Sequence, residues 1–186
     1  DTFLVSTAGI APDEEVAAKA QAIIDEVNAK YGAVFAATEV ELNGAKAPGN
    51  RTEETNLGDL ITDAMVWSVV KEGGLAQPES QVIGITNGGG IRATIPAGDI
   101  TMNNINTVLP FGNTVAVIYV TGEELLEVLE ASTFCTPESI GGYPQTSGIK
   151  WTLDTTKAFD QGAVYTLDGK ESSYFAPASI QRVSIE

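Results

Sequence analysis

The stretch Gln81–Arg92, QVIGITNGGGIR, sets a short apolar run directly against three consecutive glycines held between an asparagine and an arginine. Gln81–Thr86 suits a buried strand, since a brief apolar run bounded by turn formers is the pattern of a strand covered on both faces. Glycines placed after a strand let the backbone approach something closely and expose N–H groups in a concave nest, which favours an anion. Arg92 adds a charge and a bidentate fork for a phosphate or for ribose hydroxyls. The same residues also read as a plain tight turn. Two better-known glycine loops are excluded. Gly88-x-Gly90-x-x-Ala93 fits the loose dinucleotide pattern, but Thr94-Ile95-Pro96-Ala97-Gly98 does not start a helix, and Ile100–Gly122 holds no acidic residue to anchor a ribose. A P-loop fails for want of Gly-Lys-[Ser/Thr].

Outward from this loop the chain alternates helical and extended patterns. Upstream, Pro12–Tyr31 reads as an amphipathic helix with Val16, Ala20, Ile23, Val27 and Tyr31 on its apolar face and Asp13, Glu14 and Glu15 facing the dipole; Gly32 ends it. A strand is expected over Val34–Leu42, then a polar loop Asn43–Thr55 containing Arg51. A second helix runs over Asn56–Glu72, with Leu57, Leu60, Ile61, Ala64, Met65 and Val69 inward and Gly73-Gly74 as its stop. Downstream, Pro96 and Gly98 keep the chain irregular, and Thr101–Leu109 forms one or two helical turns ending at Pro110. A strong strand is expected over Thr114–Val120. Thr121 with Glu124 forms a capping box for a helix through Ser132. After a loop at Ile140–Gly148 come a strand at Ile149–Asp154, a turn at Asp168-Gly169 and a final strand at Ile180–Glu186 that lacks a following partner. The expected fold is α+β: a mixed β-sheet with helices packed on it, without repeat or flexible linker.

Composition narrows the chemistry. The chain has 186 residues, the size of one domain with a short extra element at one end, and its 43% hydrophobic content suits a packed core. No apolar run is long enough to span a membrane, and the first residues lack a signal-peptide pattern, so any signal peptide was removed or belongs to a longer parent. A net charge of −15 argues against binding a nucleic acid polymer, so a phosphate would be gripped by a few placed groups among ten Lys and Arg. The chain has no histidine and one cysteine, Cys135. That removes an intrachain disulfide, zinc sites built on His or Cys, and Ser-His-Asp or Cys-His nucleophile systems. An oxygen-only metal site stays conceivable, although no calcium loop motif is present.

Beyond the glycine loop, Phe111 lies between Pro110 and Gly112, where a planar ligand has clearance to stack; Asn113 is placed to meet a base edge. A core phenylalanine at a strand entrance is the competing reading. Tyr143, Trp67 and Trp151 read as core aromatics. Arg51 by itself reads as a solvated arginine. Glu123, Glu124, Glu127 and Glu130 read as an exposed helix face rather than a metal cluster, and Cys135 as a small, unreactive, semi-buried residue.

Four blocks, taken in order, resemble the C-terminal domain of the 5′-nucleotidase family. They are Arg51-x-x-x-x-Asn56-Leu57-Gly58-Asp59-Leu60-Ile61-x-Asp63-Ala64-Met65; Asn87-Gly88-Gly89-Gly90-Ile91-Arg92 with Gly98-Asp99-Ile100-Thr101; Val108-Leu109-Pro110-Phe111-Gly112-Asn113 with Thr121-Gly122; and Gly141-Gly142-Tyr143-Pro144-Gln145 with Ser147-Gly148. The resemblance implies that Arg51, Asn87 and Arg92 hold the ribose and phosphate side of a nucleotide. It also implies that Phe111 stacks on the base, that Asn113 contacts it, and that Gly89 and Gly141 line the same pocket. It implies residues 1–33 as a helix leading out of a catalytic half, and 34–186 as the recognition domain, cut before a Gly-Gly-Asp segment and a second aromatic that close the base sandwich. One further departure is Ala47, where some members carry an arginine. No cofactor is expected in this chain. Two divalent metal ions would belong to an N-terminal metallophosphoesterase domain, where they activate water. The implied partners are that domain and a nucleoside monophosphate or related nucleotide, with no membrane span. The implied setting is nucleotide catabolism in an extracellular, cell-surface or periplasmic hydrolase, this chain being inactive alone. Alternatives are a non-catalytic cell-surface ligand-binding module of the same fold, or the C-terminal domain of a 2′,3′-cyclic-nucleotide phosphodiesterase or UDP-sugar hydrolase.

Overall fold

The computed structural model describes residues 9–186. In chain order its elements are α1 (Glu14–Tyr31), β1 (Val34–Thr38), α2 (Asn56–Glu72), β2 (Gly84–Asn87), β3 (Gly98–Thr101), α3 (Met102–Val108), α4 (Gly122–Ser132), β4 (Pro144–Ser147), β5 (Trp151–Leu153), β6 (Gln161–Leu167), β7 (Lys170–Pro177) and β8 (Val183–Ile185). Helices and antiparallel ribbons intermix, an α+β arrangement in which β1 pairs with β3, β2 with β4, β5 with β8 and β6 with β7.

Each helix starts where a side chain meets the orphan N–H groups of its first turn. Asp13 accepts from Val16 N at 3.0 Å, Thr55 accepts from Gly58 N at 3.1 Å, and Thr101 and Thr121 form reciprocal capping boxes with Asn104 and Glu124. The β6–β7 hairpin turns at Asp168-Gly169, both at positive φ (52° and 73°), the backbone a two-residue hairpin requires.

Two apolar clusters carry the packing. One gathers Leu42, Leu57, Ile91, Ile95, Ile100 and Val108 beneath the glycine-rich segment. The other joins Leu125 and Leu129 of α4 to Val183 of β8, with Ile83, Ile85, Trp151 and Leu153 against them. The first cluster fixes Ile91, so the residues on either side of it are held at a defined height above the core.

Several expectations change here. The Thr114–Val120 stretch, read as a strong strand, joins no ladder among the described residues, and its residues are exposed throughout. Its β-prone side chains favour extension, but a strand exists only where a neighbour accepts its backbone hydrogen bonds. The closing strand is shorter than expected, at Val183–Ile185, and is paired, with Leu153 opposite Val183. The strands β3 and β4 form where the sequence suggested irregular chain, and β6 and β7 fill a stretch that suggested only their turn. The apolar face of α1 contains no buried residue, and on α2 Leu60 and Ala64 lie outward while Leu57, Gly58 and Thr62 are buried. Trp67, read as core, is 63% exposed, with the Lys71 ammonium 4.5 Å from its ring centre. Glu130, read as solvated, is fully buried; its Oε2 accepts from the backbone N–H groups of Arg182 and Val183 at 3.0 and 2.9 Å. Tyr143 is buried as expected, and Trp151 packs against the second cluster.

Candidate functional site

The strand β2 ends by projecting Asn87–Arg92 from its ladder with β4, where Asn87 lies opposite Pro144. Gly88–Gly90 then make a single turn of 3-10 helix, none of them at positive φ. Glycine is required here for close approach. A Cβ on Gly88 would overlap the Asn50 carbonyl, and one on Gly89 would stand 2.8 Å from the Gly141 carbonyl. The expected anion nest is not what forms. The Gly88 N–H donates to the Tyr143 carbonyl and the Gly89 N–H to the Gly141 carbonyl, each at 2.8 Å. Those two donors are committed to holding the loop on residues 141–143, so charge for a ligand has to come from side chains.

Those side chains converge. Asn87 Nδ2 donates to the Gly141 carbonyl at 3.1 Å, which fixes its amide beside the loop. The Arg92 backbone N–H donates to Val108 O at 2.9 Å, and its Nη1 donates to Gly89 O at 3.1 Å. That hydrogen bond folds the side chain back over the glycines and sets the guanidinium carbon 5.8 Å from the ring centre of Phe111. Phe111 is 60% exposed, which excludes the core reading and leaves a ring face open to a planar group. Gly112, at φ 60°, makes the turn that follows. Asn113 is exposed two residues further on and makes no hydrogen bond with another described residue.

Arg51 enters from a different element. Its loop folds on itself through Asn50 N to Ala45 O at 2.9 Å, Arg51 N to Lys46 O at 3.1 Å and Thr52 N to Gly49 O at 2.8 Å. The Arg51 carbonyl accepts from Ile140 N at 3.2 Å, next to Gly141. Arg51 is half-buried, and its Nε has no hydrogen-bond partner. Among the described residues neither Arg51 nor Arg92 forms an ion pair; the pairs formed are those of Lys19, Lys150 and Lys157. In a chain with 25 acidic residues, two arginines left without a carboxylate keep the positive charge that an anion needs. Asn87, Gly89, Arg92, Phe111 and Gly141 lie together on one face, and backbone contacts set the Arg51 loop against them, through Ile140 N–H to the Arg51 carbonyl and the Asn50 carbonyl against Gly88; no contact ties Asn113 to the group among the described residues. This face is open surface. Cavities of about 160 and 380 Å³ lie elsewhere, one against Glu54, Tyr143 and Trp151, the other between the end of α2 and Val115–Tyr119.

Around the first turn of α2 the electrostatics are acidic. Asp59 in the first turn of α2 is pushed up to about 6 from its ordinary 3.8, by burial first, then by the charge and hydrogen bond of Glu54 and by Asp63. Tyr143 is pushed up to about 12, mainly by burial and secondarily by Glu54 and Glu53. Burial likewise raises the Cys135 thiol, in keeping with an unreactive cysteine. The residues that sequence reasoning missed are Asn50 and Gln145, both fully buried and bonded to one another. Polar side chains inside a polar-looking loop give no periodic signal of burial.

A family model and several known proteins match this chain. The family model described as "5'-nucleotidase, C-terminal domain" matches residues 32–171. The trifunctional nucleotide phosphoesterase protein YfkN of Bacillus subtilis (strain 168) is 44% identical over 116 residues, covering 62% of this chain and 8% of that protein. The snake venom 5'-nucleotidase of Crotalus adamanteus is 31% identical over 152 residues, 80% of this chain and 26% of the relative. Among solved structures, the 5'-nucleotidase precursor from Thermus thermophilus superposes with a TM-score of 0.68 at 30% identity, over 94% of this chain and 33% of that one. The chain thus spans a third or less of the length of these relatives.

Proposed function

The chain belongs to the 5′-nucleotidase C-terminal domain family, and on that premise we propose that it is the nucleotide-recognition part of a metal-dependent phosphoric-ester hydrolase. The observation that carries this reading is the meeting of the Asn87 amide, Arg92 and the open ring of Phe111 beside the loop that bears Arg51, with neither arginine paired to a carboxylate among the described residues. Such a face has a group for each part of a nucleoside monophosphate. The Phe111 ring stacks on the base, the Asn113 amide reaches its edge, and Arg51, Asn87 and Arg92 take the ribose and phosphate. Gly89 and Gly141, held against each other by a backbone hydrogen bond, line this face without side chains to obstruct the ligand.

Hydrolysis itself is assigned to another part of the protein, where two divalent ions would polarise the phosphate and activate water. The residues here supply orientation: they hold the base, the ribose and one side of the phosphate, whose other side is presented outward. The parent is placed outside the cytoplasm, in line with the venom enzymes among its relatives.

Isothermal titration of the full-length protein with AMP and with adenosine tests the reading. Arg92→Ala is expected to weaken AMP by about tenfold or more, the loss of a charge-assisted contact, and to affect adenosine less. Phe111→Ala is expected to weaken both ligands alike, because both carry the base. AMP binding that survives both substitutions unchanged would refute the site.

A further inference from the structure

Gln145 is buried between the loops just described and does not reach a ligand there. It lies on β4 opposite Thr86 of β2 and is fully buried. Its carboxamide is filled at both ends. Oε1 accepts from the Thr55 backbone N–H at 3.0 Å, while Nε2 donates to the Asn50 carbonyl at 3.1 Å and to the Glu53 carbonyl at 2.7 Å. Thr55 Oγ1 donates to Asn50 Oδ1 at 2.5 Å and stands 3.4 Å from Gln145 Oε1. The packing is equally tight on the helix side: a Cβ on Gly58 would overlap the Gln145 carboxamide.

One amide thus bonds to three residues of the loop that carries Arg51, and it does so from the strand paired with the one that runs into Asn87–Arg92. A second contact works in the same sense. The Asn50 carbonyl that Gln145 holds is the atom that leaves no room for a Cβ on Gly88. The two arginines are 41 positions apart in sequence, and no hydrogen bond joins their side chains to each other. Their relative placement depends on the buried contacts between their supports: the Gln145 bracket, the Asn50–Gly88 contact and the hydrogen bond from Ile140 to Arg51.

We infer that Gln145 is a positioning residue for the anion grip, fixing the Arg51 loop against the Asn87–Arg92 loop so that both arginines address one phosphate. The inference rests on the nucleotide-recognition reading above. Its chemical content is that a neutral amide serves where apolar side chains cannot: of three backbone groups in an irregular loop two are buried and one partly so, and the amide partners all three.

The test is a titration of the full-length protein with AMP and adenosine in wild type, Gln145→Met, Arg51→Ala and the double variant. Methionine keeps the length and volume but offers none of the hydrogen bonds. The expected result for Gln145→Met is AMP affinity reduced about tenfold, with adenosine held within about twofold, since the Phe111 face is untouched. Arg51→Ala placed on Gln145→Met is expected to cost little more, because the two act as one unit. Thr55→Val, which removes the hydroxyl that bonds Asn50 and also caps α2 at Gly58, should lower stability yet give the same selective loss of AMP in milder form, and that selectivity decides the matter if Gln145→Met fails to fold. Parallel loss of AMP and adenosine, or additive effects of Arg51→Ala and Gln145→Met, would reduce Gln145 to general stability and overturn the inference. Wild type that binds no AMP would instead remove the recognition reading on which it depends.

Discussion

A methyl group placed on Gly88 would be driven into the carbonyl of Asn50, an atom already held by Gln145. Gly88→Ala is therefore expected to destabilise the chain by about 1–3 kcal/mol, as overpacking of a tight site does, measured by urea unfolding. Gly90, whose Cβ would meet nothing nearer than 3.4 Å, is the matched control and should tolerate alanine. At Asp59 the prediction concerns pH. Its folded-state value of about 6 lies above the ordinary 3.8, so across that window the folded chain holds more proton than the unfolded one. Stability then falls as pH rises from about 4 to 6, and Asp59→Asn should flatten that slope in thermal melts. At this scale the sequence exposed the candidates by type, glycine, arginine and an aromatic beside a proline. It hid the committed donors of Gly88 and Gly89, because backbone partners come from residues 141 and 143, far along the chain.

Among the elements, α2 and α4 were legible to within a residue or two because their caps are local: Thr55 reaches Gly58, and Thr121 reaches Glu124. Strands were less legible. The unbroken apolar run Val115–Val120, rich in β-branched residues, reads as a strong strand, yet it joins no ladder among the described residues, whereas the polar Pro144–Ser147 does. Pairing is decided by which backbone lies alongside. The α4–β8 junction shows the same dependence. Glu130 reads as one more surface carboxylate, yet it accepts from the N–H groups of Arg182 and Val183, while the Arg182 guanidinium donates to the carbonyls of Thr133, Phe134 and Thr136. Glu130→Ala leaves two buried N–H groups without a partner. It is expected to cost about 2–4 kcal/mol, with hydrogen exchange rising first along β8. An unchanged melting temperature would show that this junction contributes nothing to holding β8.

For the molecule as a whole, the expectation is recognition without turnover. The 186-residue chain has no histidine, and among the described residues no group of three or more His, Cys, Asp or Glu gathers to hold a metal. A phosphate-release assay on the chain alone, with Mg²⁺, Mn²⁺, Co²⁺ or Zn²⁺ and AMP, should therefore read zero, and measurable turnover would contradict the division of labour proposed above. What the sequence by itself determined was the family, carried by four ordered blocks, together with the helix starts and the chemistry that a chain without histidine lacks. Those properties are local, set by residue type and by spacings of a few positions. The tertiary structure alone decided which strands pair, that Phe111 is open and Glu130 closed, and that the Arg51 loop is set against the Asn87–Arg92 loop. Each of these depends on contacts between segments tens of residues apart, where burial and hydrogen-bond satisfaction outweigh local preference.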